Sequence, residues 1–184
     1  MQRFLFTVSI LLFLSLSIKA QKPVTYENVI VTDSTLSKES LYNRGHNWVV
    51  SIFKNPQKVI QLNDKNEGQI VCKGNFEYNQ KKFIWGGSET TKGFINFTIK
   101  LFFKDGRYKY VFTDFIHEPL KDGNSFGVIT TDDEYSGKMS LTSKQWRKWI
   151  WGDIKEQIDL NVKSIEASLL EAMNKKAELE KQDW

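Results

Sequence analysis

Residues 94–116, "FINFTIKLFFKDGRYKYVFTDFI", give the strongest indication of the fold in this sequence. Two runs rich in aromatic and β-branched residues flank Asp105-Gly106, a pair typical of a two-residue hairpin with a type I′ turn. We therefore expect two antiparallel strands joined by a tight turn, with Lys104 paired to Arg107 and unbroken pairing along both strands.

Period-two alternation divides this hairpin into two faces. One face is almost wholly apolar, and we expect it to pack on helices, with Asp114 as its only charged member. The other face should meet water, and it includes Phe115 and His117 near the end of the second strand. Its candidate binding residues are Lys100, Phe102, Lys104, Arg107 and Lys109.

Two interpretations of this basic face remain open. It is either a solvated sheet face whose positive charges discourage edge pairing, or a shallow basic-aromatic surface that binds an anionic polymer or a protein. Lys104 opposite Arg107 favours binding, because like charges directly opposite each other destabilise a strand pair unless a partner relieves them. Phe102 and Phe115 on a wet face favour binding as well, although single exposed apolar groups are common.

Asp114 is the exception on the apolar face. We expect it where the end of the sheet meets the first helix, accepting a hydrogen bond from Trp48 Nε1 or Arg44. The alternative is a catalytic carboxylate whose pKa is raised by its surroundings.

A first helix is predicted to begin after Ser37, a good N-cap residue, and to end before Asn55-Pro56. Gly45 lies on its apolar side, where it would let the helix approach the sheet closely, and Arg44 lies near the opposite side. The apolar side comprises Leu41, Gly45, Trp48, Val49 and Ile52.

The remaining elements complete an α+β pattern. A long C-terminal helix should begin at a capping box formed by Thr142 and Gln145, and apolar residues continue at helical spacing from Trp146 to Met173. A run of strands with helices at its ends predicts one antiparallel sheet covered on a single face by the two helices. Further strands are predicted at residues 24–32, 58–62, 69–73, 82–85 and 126–130.

The predicted domain organisation has three parts. Residues 1–20 have a positive start and an apolar run typical of a secretory signal peptide, the alternative being an uncleaved anchor helix. Residues 21–163 should form one domain, and residues 164–184 a charged extension of the last helix. Cleavage would leave a periplasmic or secreted protein with no later transmembrane segment. It would leave 24 basic and 22 acidic residues, a net charge of +2, which argues against nucleic acid as a partner.

The sequence contains no recognisable catalytic or metal-binding constellation. One cysteine and two histidines are too few for a zinc site, and we expect Cys72 to be a buried small residue. His46 and His117 are weak candidates for a ligand or a base. The acidic segment 131–135 lacks the ligand spacing of a calcium loop, although a weakly bound surface cation at 132–134 remains open. We therefore predict no cofactor and no catalytic residues.

Three stretches resemble a family of secreted Bacteroidetes proteins of unknown function. They are Leu41-Tyr42 with Trp48, the strand from Ile70 to Gly74, and "KDGRYKYVFTDF". The family is described as having a fold like that of the TATA-binding protein, so the resemblance implies a curved antiparallel sheet backed by helices. It covers roughly residues 28–117 and implies no activity, because a fold likeness does not transfer DNA binding.

Three hypotheses about function follow. The preferred one is an exported, non-enzymatic binding module that holds an unknown envelope protein or an anionic glycan. The second is an envelope protein that self-associates through its C-terminal helix, motivated by Leu169, Met173 and Ala177; the sequence leaves the oligomeric state open. The third is a hydrolase of envelope polymers, which would require a cleft that gathers Asp114 with His46 or His117.

Overall fold

The predicted hairpin lies in the middle of a six-stranded antiparallel sheet. The computed structural model describes residues 21–81, 91–120, 123, 125–137 and 143–175, so the predicted signal peptide and the predicted strand at 82–85 lie outside it. The strand order is β1-β5-β4-β3-β2, and β6 pairs with the far end of β5. In chain order the elements are β1 (Tyr26–Val31), α1 (Lys38–Ile52), α2 (Pro56–Val59), β2 (Ile60–Asp64), β3 (Gln69–Tyr78), β4 (Gly93–Lys104), β5 (Arg107–Pro119), β6 (Gly127–Val128) and α3 (Lys144–Asn174).

Helices α1 and α3 cover one face of the curved sheet, which confirms the predicted α+β architecture. We call this the inner face and the opposite one the open face. The inner face of the hairpin forms the centre of the core, because its alternate side chains are buried against the two helices. No helix among the described residues is both long and apolar enough to cross a bilayer. The central core residues are Ile95, Phe97, Ile99, Leu101, Phe103, Tyr108, Tyr110, Phe112 and Phe115.

Helix α1 begins and packs as its sequence predicts. The Ser37 hydroxyl accepts a hydrogen bond from the Ser40 backbone N–H at 3.2 Å and caps the first turn. Gly45 lies directly against the sheet, since a β-carbon at this position would overlap Cζ of Phe103. The prediction for Ile52 is wrong: this side chain is 36% exposed, because the helix ends there and leaves the sheet.

Arg44 was predicted near the solvent side of α1, and this is wrong. The residue is only 8% exposed, and its Nη1 donates a hydrogen bond to the Met173 carbonyl at 2.7 Å. That carbonyl belongs to the last turn of α3, where unpaired backbone acceptors and the helix dipole favour a cation. Helix α1 therefore has two packed sides, one against the sheet and one against α3, which a one-sided pattern does not anticipate.

Helix α3 begins one residue later than predicted. Ser143 is the N-cap, and its hydroxyl accepts from the Trp146 N–H at 3.1 Å, so the capping box at Thr142 and Gln145 is wrong. The end of the helix packs on α1, where Trp48 Nε1 donates to Ser168 Oγ at 3.1 Å.

The segment predicted to be a charged extension continues this packed helix through Asn174. Leu169 and Met173, which suggested a self-association surface, are wholly buried in the core. They are therefore not available as an exposed patch. Ala177 and the rest of residues 176–184 lie outside the described chain.

The hairpin turn differs in type from the prediction. A type I′ turn requires a positive φ at both central residues, but among the described non-glycine residues only Asp114 has one. At the turn, Gly106 alone has a positive φ, of 68°. The Asp105 carboxylate is used elsewhere, since it accepts from the Lys38 N–H at 2.6 Å, in the first turn of α1.

A β-bulge interrupts the pairing of β4 with β5. The predicted register holds from Lys104–Arg107 to Thr98–Thr113 and then shifts by one residue, so that Asn96 pairs with Ile116. Asp114 lies at the shift with a φ of 57°, in the left-handed region that Asp tolerates better than most residues.

The bulge corrects the predicted faces of the last third of β5. Phe115 and His117, predicted on the wet face, are wholly buried, and Asp114 is exposed instead of lying on the inner face. The predicted donors to Asp114 are also wrong, because Trp48 Nε1 donates to Ser168 and Arg44 to Met173. One extra residue therefore removes both anomalies of the unbroken register, a carboxylate in the core and an aromatic ring in water.

Replacing Gly45 with alanine should destabilise the protein although it raises helix propensity. The new methyl group would overlap the buried Phe103 ring, and overpacking of this kind costs about 1–3 kcal/mol, against a propensity gain of about 0.5–1 kcal/mol. Gly152→Ala in α3 is the matched control, because nothing lies within 4 Å of its added β-carbon. Urea unfolding should show a lower midpoint for Gly45→Ala and a slightly higher one for Gly152→Ala; equal midpoints would contradict the close approach.

The bulge predicts an unusual order of stability at position 114. Asp114→Val should cost about 1–2 kcal/mol, because a β-branched residue tolerates the left-handed conformation poorly, whereas Asp114→Gly should cost nothing or stabilise slightly. Glu118→Val, at an exposed position of the same strand, should change the free energy of unfolding by less than about 0.5 kcal/mol. If valine at 114 is tolerated as well as valine at 118, β5 does not contain this bulge.

Candidate functional site

All five predicted binding residues lie on the open face near the hairpin turn. Lys100, Phe102 and Lys104 alternate along β4, and their partners across the strand pair are Val111, Lys109 and Arg107. Strand β1 extends the surface, since Val29 pairs with Lys109. Together these strands form a cavity of about 550 Å³. It is lined by Val29, Lys100, Phe102, Lys104, Arg107, Tyr108, Lys109 and Val111.

The charged residues that line this cavity are all basic. Within the described chain, none of Lys100, Lys104 and Arg107 forms an ion pair with a carboxylate. Lys109 is paired with Glu27 of β1 at 2.8 Å, an exposed salt bridge of the kind that contributes little. The nearest acidic residue of the turn, Asp105, is bound to the backbone of α1. The cavity therefore has an excess of positive charge.

Lys104 and Arg107 are direct partners across the strand pair, as predicted. Both side chains are exposed, so water screens part of their repulsion. Like charges directly opposite each other still cost a few tenths of a kcal/mol to about 1 kcal/mol in an antiparallel pair. A bound anion would remove this cost.

The open face is also more apolar than a solvated sheet face needs to be. Val29 is 51% and Val31 79% exposed on β1, and Phe94 is 37% exposed at the far end of β4. Sequence reasoning identified Phe102 but missed the two valines, because it did not assign β1 as the neighbour of β5. The alternation of β1 was the available signal, and pairing with β5 sets which of its residues face outward.

A second cavity, of about 630 Å³, lies at the other end of the open face. Its lining combines Asp114 and Glu118 with Lys58 and Lys73, so it has no single sign of charge. Asn75, Asn96 and Thr98 contribute neutral polar groups. Of these two cavities, only the one near the hairpin turn is chemically biased toward anions.

The groups proposed for a hydrolytic cleft are not brought together. Asp114 lies exposed on the open face, whereas His117 is wholly buried. Both nitrogens of His117 are used structurally: Nε2 lies 3.0 Å from the Thr91 carbonyl, and Nδ1 accepts from the Phe126 N–H at 3.2 Å. His46 lies on α1, beside a different cavity at the edge of the sheet. This arrangement contradicts the geometry that the hydrolase hypothesis requires.

The buried reactive groups have structural roles. Cys72 is wholly buried as predicted, and burial raises the pKa of its thiol to about 12, so it is not an activated nucleophile. Asp153 of α3, which no sequence pattern singled out, accepts hydrogen bonds from the Tyr78 hydroxyl at 2.8 Å and from Gln157 Nε2 at 3.0 Å. Burial and this contact raise the pKa of Tyr78 above its ordinary value. The pair ties α3 to β3.

The acidic segment 131–135 packs beside α3. Lys155 donates from Nζ to the Asp132 carbonyl at 2.7 Å, and the Thr130 hydroxyl donates to the Asp132 carboxylate at 3.1 Å. Among the described residues, no three histidine, cysteine or acidic side chains gather in a way that could hold a metal ion.

The architecture defines the class of protein: a curved antiparallel sheet with helices on one face, as in the TATA-binding-protein-like folds. The chain belongs to the family described as a domain of unknown function (DUF4468) with TBP-like fold, whose model matches residues 26–118, half of the sequence. This match confirms the family resemblance found in the sequence. None of the curated proteins matches this chain.

Two solved structures share the fold. A TBP-like protein from Parabacteroides distasonis ATCC 8503 has a TM-score of 0.58 at 17% identity, over 84% of this chain and 95% of that one. A DUF4468 family protein from Bacteroides ovatus ATCC 8483 has a TM-score of 0.51 at 12% identity, over 84% of this chain and 88% of that one. At such identities the likeness concerns the fold and not the chemistry of the open face.

Burial of His117 predicts a pH-dependent contribution to stability. Burial lowers the pKa of its imidazole below the ordinary value of 6.5, while the Thr91 contact opposes this in part. The unfolded chain therefore takes up a proton at a higher pH than the folded one, and the contribution is complete above pH 6.5 and declines as the pH falls below it.

His117→Gln should remove this dependence. The variant should be less stable at high pH by about 1–3 kcal/mol, because a buried hydrogen-bonded group is replaced imperfectly, and the deficit should shrink in acid. Urea unfolding of both proteins at pH 8 and pH 5, roughly one unit or more on either side of the ordinary histidine pKa, measures the change. A deficit that stays constant between the two pH values would contradict the burial argument.

Proposed function

We propose that this protein is an exported, non-enzymatic binding module that holds an anionic partner at the basic end of its open face. One observation carries the proposal: Lys100, Lys104 and Arg107 gather around a cavity whose lining, among the residues that the structure describes, includes no carboxylate. The exposed apolar side chains of the same face support it, because an extended mixed surface of this kind is typical of an interaction site.

The partner class follows from the charge and the proposed location. Anionic glycans and acidic patches of envelope proteins both present carboxylates or phosphates at the density that a few basic residues can match. The proposed location, periplasmic or secreted, rests on the charged start and apolar run of residues 1–20. With a net charge of +2 after removal of those residues, nucleic acid is not the partner we propose.

A catalytic function is not part of the proposal. We leave it out because Asp114, His46 and His117 lie apart, and because both His117 nitrogens are used in hydrogen bonds inside the core. A binding role, in contrast, requires only a fixed surface of suitable charge and shape.

The proposal predicts that charge reversal on the open face abolishes binding of an acidic glycan. Heparin and polygalacturonate serve as probes for the chain from residue 21, measured by calorimetry at low and high salt. The variant Lys100→Glu, Lys104→Glu, Arg107→Glu should bind at least about tenfold more weakly, roughly 1.4 kcal/mol. High salt should also weaken glycan binding by the unmodified protein, because it screens the charges.

A matched control changes the same number of charges elsewhere. Lys54→Glu, Lys144→Glu, Lys148→Glu alters three exposed lysines away from the open face, and it should lose little affinity. Circular dichroism and thermal melts establish that both variants fold. Equal losses of affinity in the two variants would mean that net charge, and not the open face, determines binding. If the unmodified protein binds neither probe, acidic glycans are not the partner class.

A further inference from the structure

The lining of the cavity near the hairpin turn alternates basic and apolar groups. Along the strand pair, Lys100 lies opposite Val111, Phe102 opposite Lys109, and Lys104 opposite Arg107. Phe102 thus lies between two lysines of its own strand, and Val29 of β1 adjoins Lys109. We call the apolar members of the lining, Val29, Phe102 and Val111, the apolar floor. Lys109, paired with Glu27, lies between Val29 and Phe102, and a fully hydrated polyanion would use only the basic groups.

We infer that the ligand of this cavity is an amphipathic anion, an acyl-chain molecule with a single phosphate or carboxylate headgroup. The inference rests on the proposed function, an anionic partner at the basic end of the open face, and assigns that partner an apolar tail in place of the glycan or protein patch. Charge complementarity assigns the headgroup to Lys104 and Arg107, whose mutual repulsion it would relieve. A guanidinium binds two oxygens of a carboxylate or phosphate at once, so Arg107 supplies directional recognition as well as charge.

The apolar floor accommodates the tail. Phe102, Val29 and Val111 are only partly buried or exposed, and a hydrocarbon chain lying on them would remove apolar surface from water on both partners. The cavity volume of about 550 Å³ falls within the range of small-molecule sites, about 300–1,000 Å³.

A series of alkyl phosphates tests the inference. Inorganic phosphate and hexyl, octyl and decyl phosphate are titrated into the chain from residue 21, below their micelle concentrations, with amide chemical shifts as the readout. The dissociation constant should fall about twofold to fourfold for each added methylene, where fourfold corresponds to about 0.8 kcal/mol for full burial. Decyl maltoside, which has the same tail without the anion, should bind at least about tenfold more weakly than decyl phosphate.

Two phenylalanines of the same strand and face provide matched variants. Phe102→Ser should flatten the dependence on chain length while leaving the affinity for inorganic phosphate unchanged, because it removes only the floor. Phe94→Ser, at the other end of β4 and outside the cavity lining, should keep the full dependence. Val29→Ser serves if Phe102→Ser does not fold, since Val29 is 51% exposed and its replacement leaves the core intact.

The outcomes separate the inference from the proposed function. If heparin binds through Lys100, Lys104 and Arg107 while affinity for alkyl phosphates does not change with chain length, the binding module stands and the amphipathic ligand is wrong. If alkyl phosphates bind equally to the protein with all three residues changed to glutamate, the tail adheres non-specifically and the inference is overturned. If neither probe class binds in a way that depends on these residues, both proposals fail.

Discussion

The one-residue bulge at Asp114 is the constraint on which the two faces of the sheet depend. Strand β5 has 13 residues, and strict alternation along all of them would turn Asp114 inward and Phe115 outward. The shift at the bulge lets aromatic residues face the helices on both sides of it. Because the far half of β5 is in the correct phase, His117 lies inside and joins β5 to the segments at Thr91 and Phe126. The cost is a left-handed conformation at one non-glycine residue, at an exposed site where the short polar side chain tolerates it.

A sheet that is covered by helices on one side only leaves the other side to water. Here both helices pack on the inner face. Gly45 of α1 lies against Phe103, and Asp153 of α3 accepts a hydrogen bond from Tyr78. The side chains of the open face are therefore those at the alternate strand positions. In the hairpin these are lysine, arginine and a few apolar side chains. The family match and the two solved structures establish the fold, but the chemistry of this face belongs to the residues of this chain.

The sequence predicted the structure correctly where a feature depends on one element alone. The register near Asp105-Gly106, the Ser37 cap and the close approach at Gly45 all follow from short-range rules, and all three are confirmed. The errors occur where a second element intervenes. Arg44 is buried where α3 offers the Met173 carbonyl, and at the turn, which is not type I′, the Asp105 carboxylate accepts from the first turn of α1. In the sequence, the only sign of the bulge was an aspartate, Asp114, on an otherwise apolar face.

The candidate site was predictable to a similar degree. Alternation in the hairpin identified all five residues, yet the cavity also needs Val29, whose position depends on pairing between strands far apart in sequence. Phe115 was wrongly assigned to the wet face for the same reason that Asp114 was assigned to the dry one. This correction leaves the residues around the turn unchanged, because Asp114 and Phe115 both lie at the other end of β5.

The rigidity of the turn bears on what this surface can do. The Gly106 N–H donates to the Leu36 carbonyl at 2.8 Å, and the Gly106 carbonyl accepts from Thr32 at the same distance. With the Asp105–Lys38 contact, these bonds fasten both turn residues to the segment that leads into α1. Lys104 and Arg107 therefore project from a backbone that is fixed on two sides, although they repel each other. A surface that maintains two like charges side by side in the absence of a ligand is preorganised for an anion, since little backbone ordering is left to oppose binding. The same bonds that hold the register of the hairpin thus determine where the positive charge is presented.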